Sequence, residues 1–195
     1  MYVPYLFVFL GALLFDVVPF PFLPAFTVMI YLQVHYHPEV WAVLFLGVAG
    51  SILGRYLLTL YIPLLSGRFF NTSKNEDVQF LGEHLKSKGW QSQAVVVAYS
   101  LLPLPTTPLF LAAGMARIRP LYIIPAFFVG KLFSDSVAMG KYASQNLSSL
   151  RATALSWQSI AGLAASLLLL LALLFIDWRG LIQQRKFTLV FNIFK

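Results

Sequence analysis

Four charged residues lie inside long apolar stretches of the sequence, where a charge requires a specific reason. They are Asp16, Arg55, Lys131 and Asp135. A charged side chain in a bilayer costs about 2.5–3.5 kcal/mol on insertion scales, so such residues usually pair with one another or line a functional path. The sequence therefore predicts that these four side chains handle substrate or ion charge along a path through the protein.

Each of the four residues also has a plainer structural explanation. Asp16 either binds a proton or a cation, or it merely ends the first helix as a cap or interfacial acid. Arg55 needs a counter-charge or a phosphate, and Asp16 is its predicted partner; an Arg55 that snorkels to the interface is the alternative. Lys131 and Asp135 stand one helical turn apart, so they either neutralise each other locally or form an ion or headgroup relay.

Two proline-rich motifs interrupt the apolar sequence, and each has the pattern P-x-P-x-x-P. Proline removes a backbone donor and breaks a helix. A broken backbone at membrane depth is tolerated only where it is buried in protein or lines a wet cavity. The motifs therefore predict two re-entrant helical hairpins, with two independently kinked transmembrane helices as the alternative. The prolines concerned are Pro19, Pro21, Pro24, Pro103, Pro105 and Pro108.

Hydroxyl side chains border both proline motifs. Thr27 follows the first motif, and Ser100, Thr106 and Thr107 border the second. Such hydroxyls can bond to backbone groups that proline leaves unpaired, or they can contact a substrate. They are therefore predicted polar residues of the two hairpins.

The composition excludes a water-soluble globule and several chemistries. Of the 195 residues 59% are hydrophobic and 11% charged, against roughly 25% charged in a soluble domain. The net charge of +7 indicates loops that face anionic headgroups rather than nucleic acid. Without cysteine, GxSxG, HExxH or P-loop motifs we expect no enzyme and no cofactor. His35 and His37 with Glu39 are weak evidence for a metal site, so no metal is expected.

The chain divides into a membrane domain, a final helix and a tail. Residues 1–145 contain two repeats, at about 10–65 and about 94–143, each a hairpin followed by a long span. Residues 146–178 contain a C-terminal transmembrane helix, and residues 179–195 form a basic tail that lies on the membrane surface or frays.

Loop charges predict how these parts are oriented. The basic tail and the loop over 66–93 belong on the cytoplasmic side, and residues 75–88 of that loop form an interfacial amphipathic helix. The two hairpins then face opposite ways. The predicted fold class is an all-α, polytopic integral membrane protein with two oppositely oriented re-entrant hairpins, an inverted repeat, plus the C-terminal helix.

Several motifs resemble those of a known membrane protein family: FDVVPFPFLP at 15–24, GSILGRY at 50–56, and LPLP at 102–105 followed by AAGM at 112–115. Over roughly residues 10–140 the chain resembles the DedA/VTT (SNARE-associated) family. The resemblance implies oppositely inserted hairpins and movement of lipids, including lipid-phosphate carriers, often with protons. Asp16 matches the hairpin acid of the family. The chain departs at Arg55, where many members have Asp, and at Tyr99-Ser100, where many have Arg.

Together these observations predict a membrane transporter, a lipid or lipid-phosphate flippase or scramblase with proton coupling. The alternatives are a non-transporting membrane organiser or scaffold and a small-solute exporter. Its partners would be membrane lipids and a proton or another cation, and a homo-oligomer is compatible with the sequence. The expected location is the bacterial plasma (inner) membrane, with the C-terminus cytoplasmic.

Overall fold

The computed structural model describes residues 3–19, 25–102, 106–142 and 157–194. Within these ranges the chain forms nine helices and no strand, which confirms the all-α prediction. The helices are α1 Val3–Val17, α2 Ala25–Tyr36, α3 Val40–Phe69, α4 Thr72–Ser87, α5 Trp90–Leu101, α6 Thr107–Met115, α7 Pro120–Tyr142, α8 Trp157–Phe175 and α9 Trp178–Gln184.

The two halves of the chain repeat one order of elements. In each half a helix leads into a proline-rich connection, a second helix, a turn and a long helix; α1 to α3 form the first half and α5 to α7 the second. Helix α4 joins the halves, and α8 and α9 follow the second. Most of both proline connections, residues 20–24 and 103–105, lies outside the described residues.

The second helix of each half ends in the same way. His37 follows α2 with φ 51° and Arg117 follows α6 with φ 52°, a left-handed conformation that is uncommon for residues other than glycine. The amide of His37 donates to the carbonyl of Gln33 at 3.0 Å, and the amide of Ile118 donates to that of Ala113 at 2.9 Å. These bonds satisfy carbonyls left unpaired at the helix end and turn the chain towards the long helix.

Several charged side chains are buried in the helices, while many large apolar side chains are exposed. On α1 the buried face carries Val8, Ala12 and Asp16, whereas Leu10 and Leu14 are exposed. Arg55 of α3 and Lys131 and Asp135 of α7 are likewise buried. Soluble proteins rarely bury charges fully, but in a bilayer charged groups face the bundle interior. The distribution supports a membrane environment.

Among the described helices, two are long and apolar enough to cross a membrane. They are Val40–Phe69, with a mean hydropathy of 1.8, and Pro120–Gly140, with a mean hydropathy of 1.4. The predicted C-terminal helix is present as α8, in which the apolar stretch Ile160–Phe175 is shorter. Membrane association is thus supported by length and composition, while re-entrant insertion and an inverted repeat stay predictions.

Close backbone approach at glycines holds each first helix against the long helix of its half. A Cβ on Gly54 of α3 would lie 2.6 Å from the carbonyl oxygen of Leu13 on α1. A Cβ on Gly130 of α7 would lie 2.9 Å from the carbonyl oxygen of Val97 on α5. Small residues at such contacts let helices pack closely without a water-driven hydrophobic effect.

The two halves also pack across one another. Helix α6 lies against α3, α2 lies against α7, and the two long helices contact each other. Within the second half, Phe110 of α6 meets Phe127 of α7 edge to face, with ring centroids 4.7 Å apart. The buried apolar residues form two clusters, and each cluster includes residues of both α3 and α7.

The loop between the halves is helical, as the amphipathic pattern predicts. Asn71 caps α4 by accepting a hydrogen bond from the amide of Lys74 at 2.8 Å. Val78 is fully buried on one face of α4, and Leu81 packs against the same core. The position of α4 at a membrane interface stays a prediction.

Candidate functional site

Asp16 and Arg55 form a buried ion pair between the two most closely packed helices. Asp16 lies in the last turn of α1, and Arg55 lies near the middle of α3. The guanidinium Nη2 is 2.6 Å from the Asp16 carboxylate, and the two residues are 4% and 3% exposed. The predicted pair is therefore present, and the snorkelling alternative for Arg55 is wrong.

Ser51 completes the environment of the Asp16 carboxylate. Its hydroxyl, one helical turn before Arg55, donates a hydrogen bond to the second carboxylate oxygen. Asp16 thus has a charged and a neutral donor, both from α3. The position of Ser51 one turn before Arg55, on the same helix face, is the sequence signal that could have identified it as a polar partner of Asp16.

Arg55 has donors left over after pairing with Asp16. Its Nε and Nη1 atoms are buried and have no hydrogen-bond partner among the residues that the structure describes. The guanidinium carbon lies 5.7 Å from the ring centroid of Phe110 on α6, within the range of a cation–π contact. Tyr99 of α5 also lies close enough for an electrostatic interaction. Arg55 therefore sits where the two halves meet.

Lys131 and Asp135 form a second buried ion pair, within α7. The ammonium nitrogen is 2.8 Å from Oδ2 of the carboxylate, as the spacing of one helical turn predicts. That oxygen nevertheless accepts no hydrogen bond of good geometry from the described part of the chain. Asp135 also interacts electrostatically with Asp16, so the two ion pairs are neighbours.

The four charged residues therefore form one buried group, the central charge cluster, defined by Asp16, Arg55, Lys131 and Asp135. It contains two cations and two carboxylates, contributed by α1, α3 and α7. Burying even one ion is expensive unless it is paired. The cluster satisfies that requirement by pairing, yet two donors of Arg55 have no hydrogen-bond partner among the described residues.

The predicted proline and hydroxyl residues are only partly described. Pro19 is partly buried just after α1, and Pro108 is buried in the first turn of α6. Pro21, Pro24, Pro103 and Pro105 lie outside the described residues, as does the side chain of Thr27.

The hydroxyls beside the second motif lie close to the bundle interior. Ser100 is buried, and its hydroxyl donates to the carbonyl of Val96, one turn earlier in α5, at 2.8 Å. Thr106 occupies the cap position of α6, and Thr107 is buried. A Cβ on Gly130 would lie 2.6 Å from the Ser100 Cβ, so Ser100 lies beside the residue that precedes Lys131.

Of the two histidines around the end of α2, His35 makes aromatic contacts. His35 stacks on Tyr31 with ring centroids 6.0 Å apart and meets Tyr36 edge to face at 4.6 Å. His37 adopts the left-handed turn. Within the described ranges no three His, Asp or Glu side chains gather as metal ligands.

Comparison of the chain with protein-family models, with curated proteins and with solved structures found no significant match. The resemblance to the DedA/VTT family stays a prediction. Any function must therefore be argued from the central charge cluster and from the helices that hold it.

Proposed function

We propose that the chain is a membrane transporter that moves lipids, and lipid-phosphates in particular, in the manner of a flippase or scramblase. The observation that carries the proposal is the central charge cluster, in which buried Arg55 keeps two nitrogens without a partner among the described residues. We place the protein in a bacterial plasma membrane, with its basic tail on the cytoplasmic side.

Stability of the fold alone does not explain why these charged residues are buried together. Replacing a buried ion pair by well-packed apolar side chains is often neutral or stabilising. Two such pairs lie side by side here, in a chain whose other buried positions are mostly apolar. Ionisable groups in such a setting most often belong to a path for ions or substrates.

The unused donors of Arg55 suit a phosphate. Guanidinium groups bind phosphate oxygens through short, charge-assisted hydrogen bonds. With Nη2 bound to Asp16, the Nε and Nη1 groups remain to donate to a guest. A lipid headgroup could bind there while its acyl chains stay in the surrounding hydrocarbon.

Charge balance gives a reason for proton coupling. The cluster is neutral when its two cations and two carboxylates are ionised. An entering phosphate would add negative charge to a buried site, which is costly. Protonation of Asp16 or Asp135 would restore neutrality, so we propose that a proton accompanies the anion.

The packing of the halves supports a path between them. Each second helix lies against the long helix of the opposite half, as expected for a pseudo-symmetric pair of repeats. Asp16 precedes the first proline motif by three residues and Ser100 precedes the second by three. Both proline connections therefore begin beside the cluster, and we propose that they line the path.

Lipid movement in proteoliposomes tests the proposal. The probe is a phospholipid with a fluorescent headgroup label, reduced from outside by dithionite, and the variants are Asp16→Asn and Lys131→Ala. Losing an interaction worth about 1.4 kcal/mol at the barrier slows a step about tenfold, so we expect at least that loss. Lys86→Ala removes an exposed charge from α4 and serves as the matched control.

Three outcomes would count against the proposal. If both variants fold, by circular dichroism and thermal unfolding, and still move the probe at the parental rate, the cluster is architectural and does not carry lipid movement. If the parental protein moves the probe no faster than protein-free liposomes do, the chain is a membrane organiser. If the parental protein moves a small soluble anion but no lipid, it is a solute exporter.

A further inference from the structure

The last part of the chain folds back instead of fraying. We call residues 177–194 the C-terminal clasp. Asp177 caps α9 by accepting from the amide of Gly180 at 2.9 Å, and its own amide donates to the carbonyl of Thr188 at 3.1 Å. The amide of Val190 then donates to the carbonyl of Phe175 at 2.8 Å. The chain thus returns along the end of α8.

Buried polar contacts tie the clasp to the start of α4. The Lys74 ammonium donates to the carbonyl of Ile176 and to the carboxylate of Asp77, both at 2.7 Å. The other oxygen of Asp77 accepts from the amide of Arg179 at 2.7 Å. Lys74 and Asp77 are both buried, so this attachment has a defined geometry.

Further along, the clasp reaches the end of α3. Ile193 is fully buried, and its carbonyl accepts from the amide of Asn71 at 2.9 Å. Phe194 stacks on Phe70 with ring centroids 5.6 Å apart. Contacts at both ends therefore hold the clasp across the base of α3, α4 and α8.

The exposed side chains of this ordered segment include aromatic and basic ones. Phe191 is 73% exposed, and Phe187 and Phe194 are exposed as well. Arg185 and Lys186, which directly precede Phe187 in the sequence, are also exposed. Asp177, which caps α9, is the only acidic residue in the sequence over 177–194, whereas Arg179, Arg185 and Lys186 are basic, so the clasp carries a net positive charge.

We propose that the C-terminal clasp is a binding surface for anionic lipid headgroups. Its aromatic rings would enter the boundary between headgroups and acyl chains, where such rings prefer to lie. Arg185 and Lys186 would bind the negative charge of the leaflet. The clasp begins where the apolar surface of α8 ends, which places it at the depth of the headgroups. The inference depends on the membrane embedding that the proposed function assumes, but not on transport.

Fluorescence quenching on single-cysteine variants of the full chain tests the inference, since the protein has no cysteine of its own. Phe191→Cys reports on the clasp, and Leu60→Cys, at an exposed position of α3, reports on embedding. Each labelled protein is placed in nanodiscs of phosphatidylcholine alone or of phosphatidylcholine with phosphatidylglycerol. Aqueous iodide then measures how far each label is open to water.

We expect phosphatidylglycerol to protect the label at position 191. Each basic residue at an anionic surface strengthens binding by roughly fivefold. The double variant Arg185→Gln with Lys186→Gln should therefore weaken the binding of the clasp to the anionic leaflet about 25-fold, and the label at position 191 should lose its protection from iodide. Salt at about 1 M, where the Debye length is about 3 Å, should also remove it. Lys86→Gln with Lys88→Gln removes the same charge from the far end of α4 and should leave protection intact.

The controls separate the possible failures. If iodide quenches the label at position 191 equally in both lipids while position 60 is protected, the clasp does not bind anionic headgroups. This result would overturn the inference about the clasp and leave the proposed transport untouched. If the label at position 191 is equally protected with and without phosphatidylglycerol, the clasp contacts protein instead of anionic lipid. That result would also overturn the proposed lipid-binding surface. Water access at position 60 would show that α3 is not embedded, and both this inference and the proposed transport would then fail.

Discussion

At the scale of single residues, the environment of Asp16 determines which substitutions in the central charge cluster destabilise the protein. One carboxylate receives a charged donor from Arg55 and a neutral donor from Ser51, and all three groups are buried. Removing one member of such a pair leaves an ion that neither water nor protein satisfies. Removing both charges leaves no ion to satisfy, so the two changes should not be additive.

A double-mutant cycle measures this coupling. Arg55→Met should lower the free energy of unfolding by about 3–5 kcal/mol, because it leaves the Asp16 carboxylate buried without its cation. Combining it with Asp16→Asn should recover most of that loss. Chemical denaturation in detergent micelles, followed by circular dichroism, gives the four values. If the two losses simply add, Asp16 and Arg55 are energetically independent and the pair does not hold α1 against α3.

At the scale of elements, backbone contact at glycine decides how close the helices can approach. The carbonyl of Leu13 lies where a side chain on Gly54 would have to go, whereas a Cβ on Gly67 of the same helix would meet no atom within 4 Å. The same residue type therefore has opposite roles at two positions of α3. At Gly54 it permits packing, and at Gly67 it only weakens the helix.

These two glycines form a matched pair for mutation. Gly54→Ala should lower the free energy of unfolding by about 1–3 kcal/mol, because the new methyl group forces α1 and α3 apart. Gly67→Ala should instead raise it by about 0.5–1 kcal/mol through helix propensity. Thermal unfolding of the two variants compares them directly. Equal effects of the same sign would show that α1 and α3 do not pack through this contact.

At the scale of the whole molecule, the distribution of exposed and buried side chains is the one expected for a protein surrounded by lipid. Large apolar residues such as Leu14 and Phe133 are exposed, while the four residues of the central charge cluster are buried. The repeated order of helices indicates two related units around α3 and α7. Whether these units insert from opposite sides is a question of topology, which side-selective labelling can answer.

Cysteines at the two proline motifs report on this topology. Phe22→Cys and Thr106→Cys, tested with a membrane-impermeant thiol reagent added to either side of sealed vesicles, should react from opposite faces. The reason is that an inverted repeat opens its two hairpins to opposite compartments. Leu60→Cys should react from neither face. Labelling of both motifs from one face would rule out the inverted arrangement.

The local features of this protein can be predicted from the sequence, because they depend on the spacing of apolar residues and on residues one helical turn apart. Composition and apolar spacing predict the helical class, the long span that ends each repeat, and the amphipathic α4. The Lys131–Asp135 pair follows from helix geometry alone. Asp16 and Arg55 could be matched as well, since each is a lone charge in an apolar stretch that needs an opposite one.

Tertiary structure alone decided which distant groups meet. Ser51 reaches Asp16 across 35 residues, and Lys74 reaches the carbonyl of Ile176 across 102. Both contacts depend on how whole helices pack, and no local pattern encodes the angle or register of that packing. The same holds for the unpartnered donors of Arg55 and for the ordered clasp. Hydrogen bonds between residues so far apart in the sequence depend on how the helices pack, so they can be identified only from the tertiary structure.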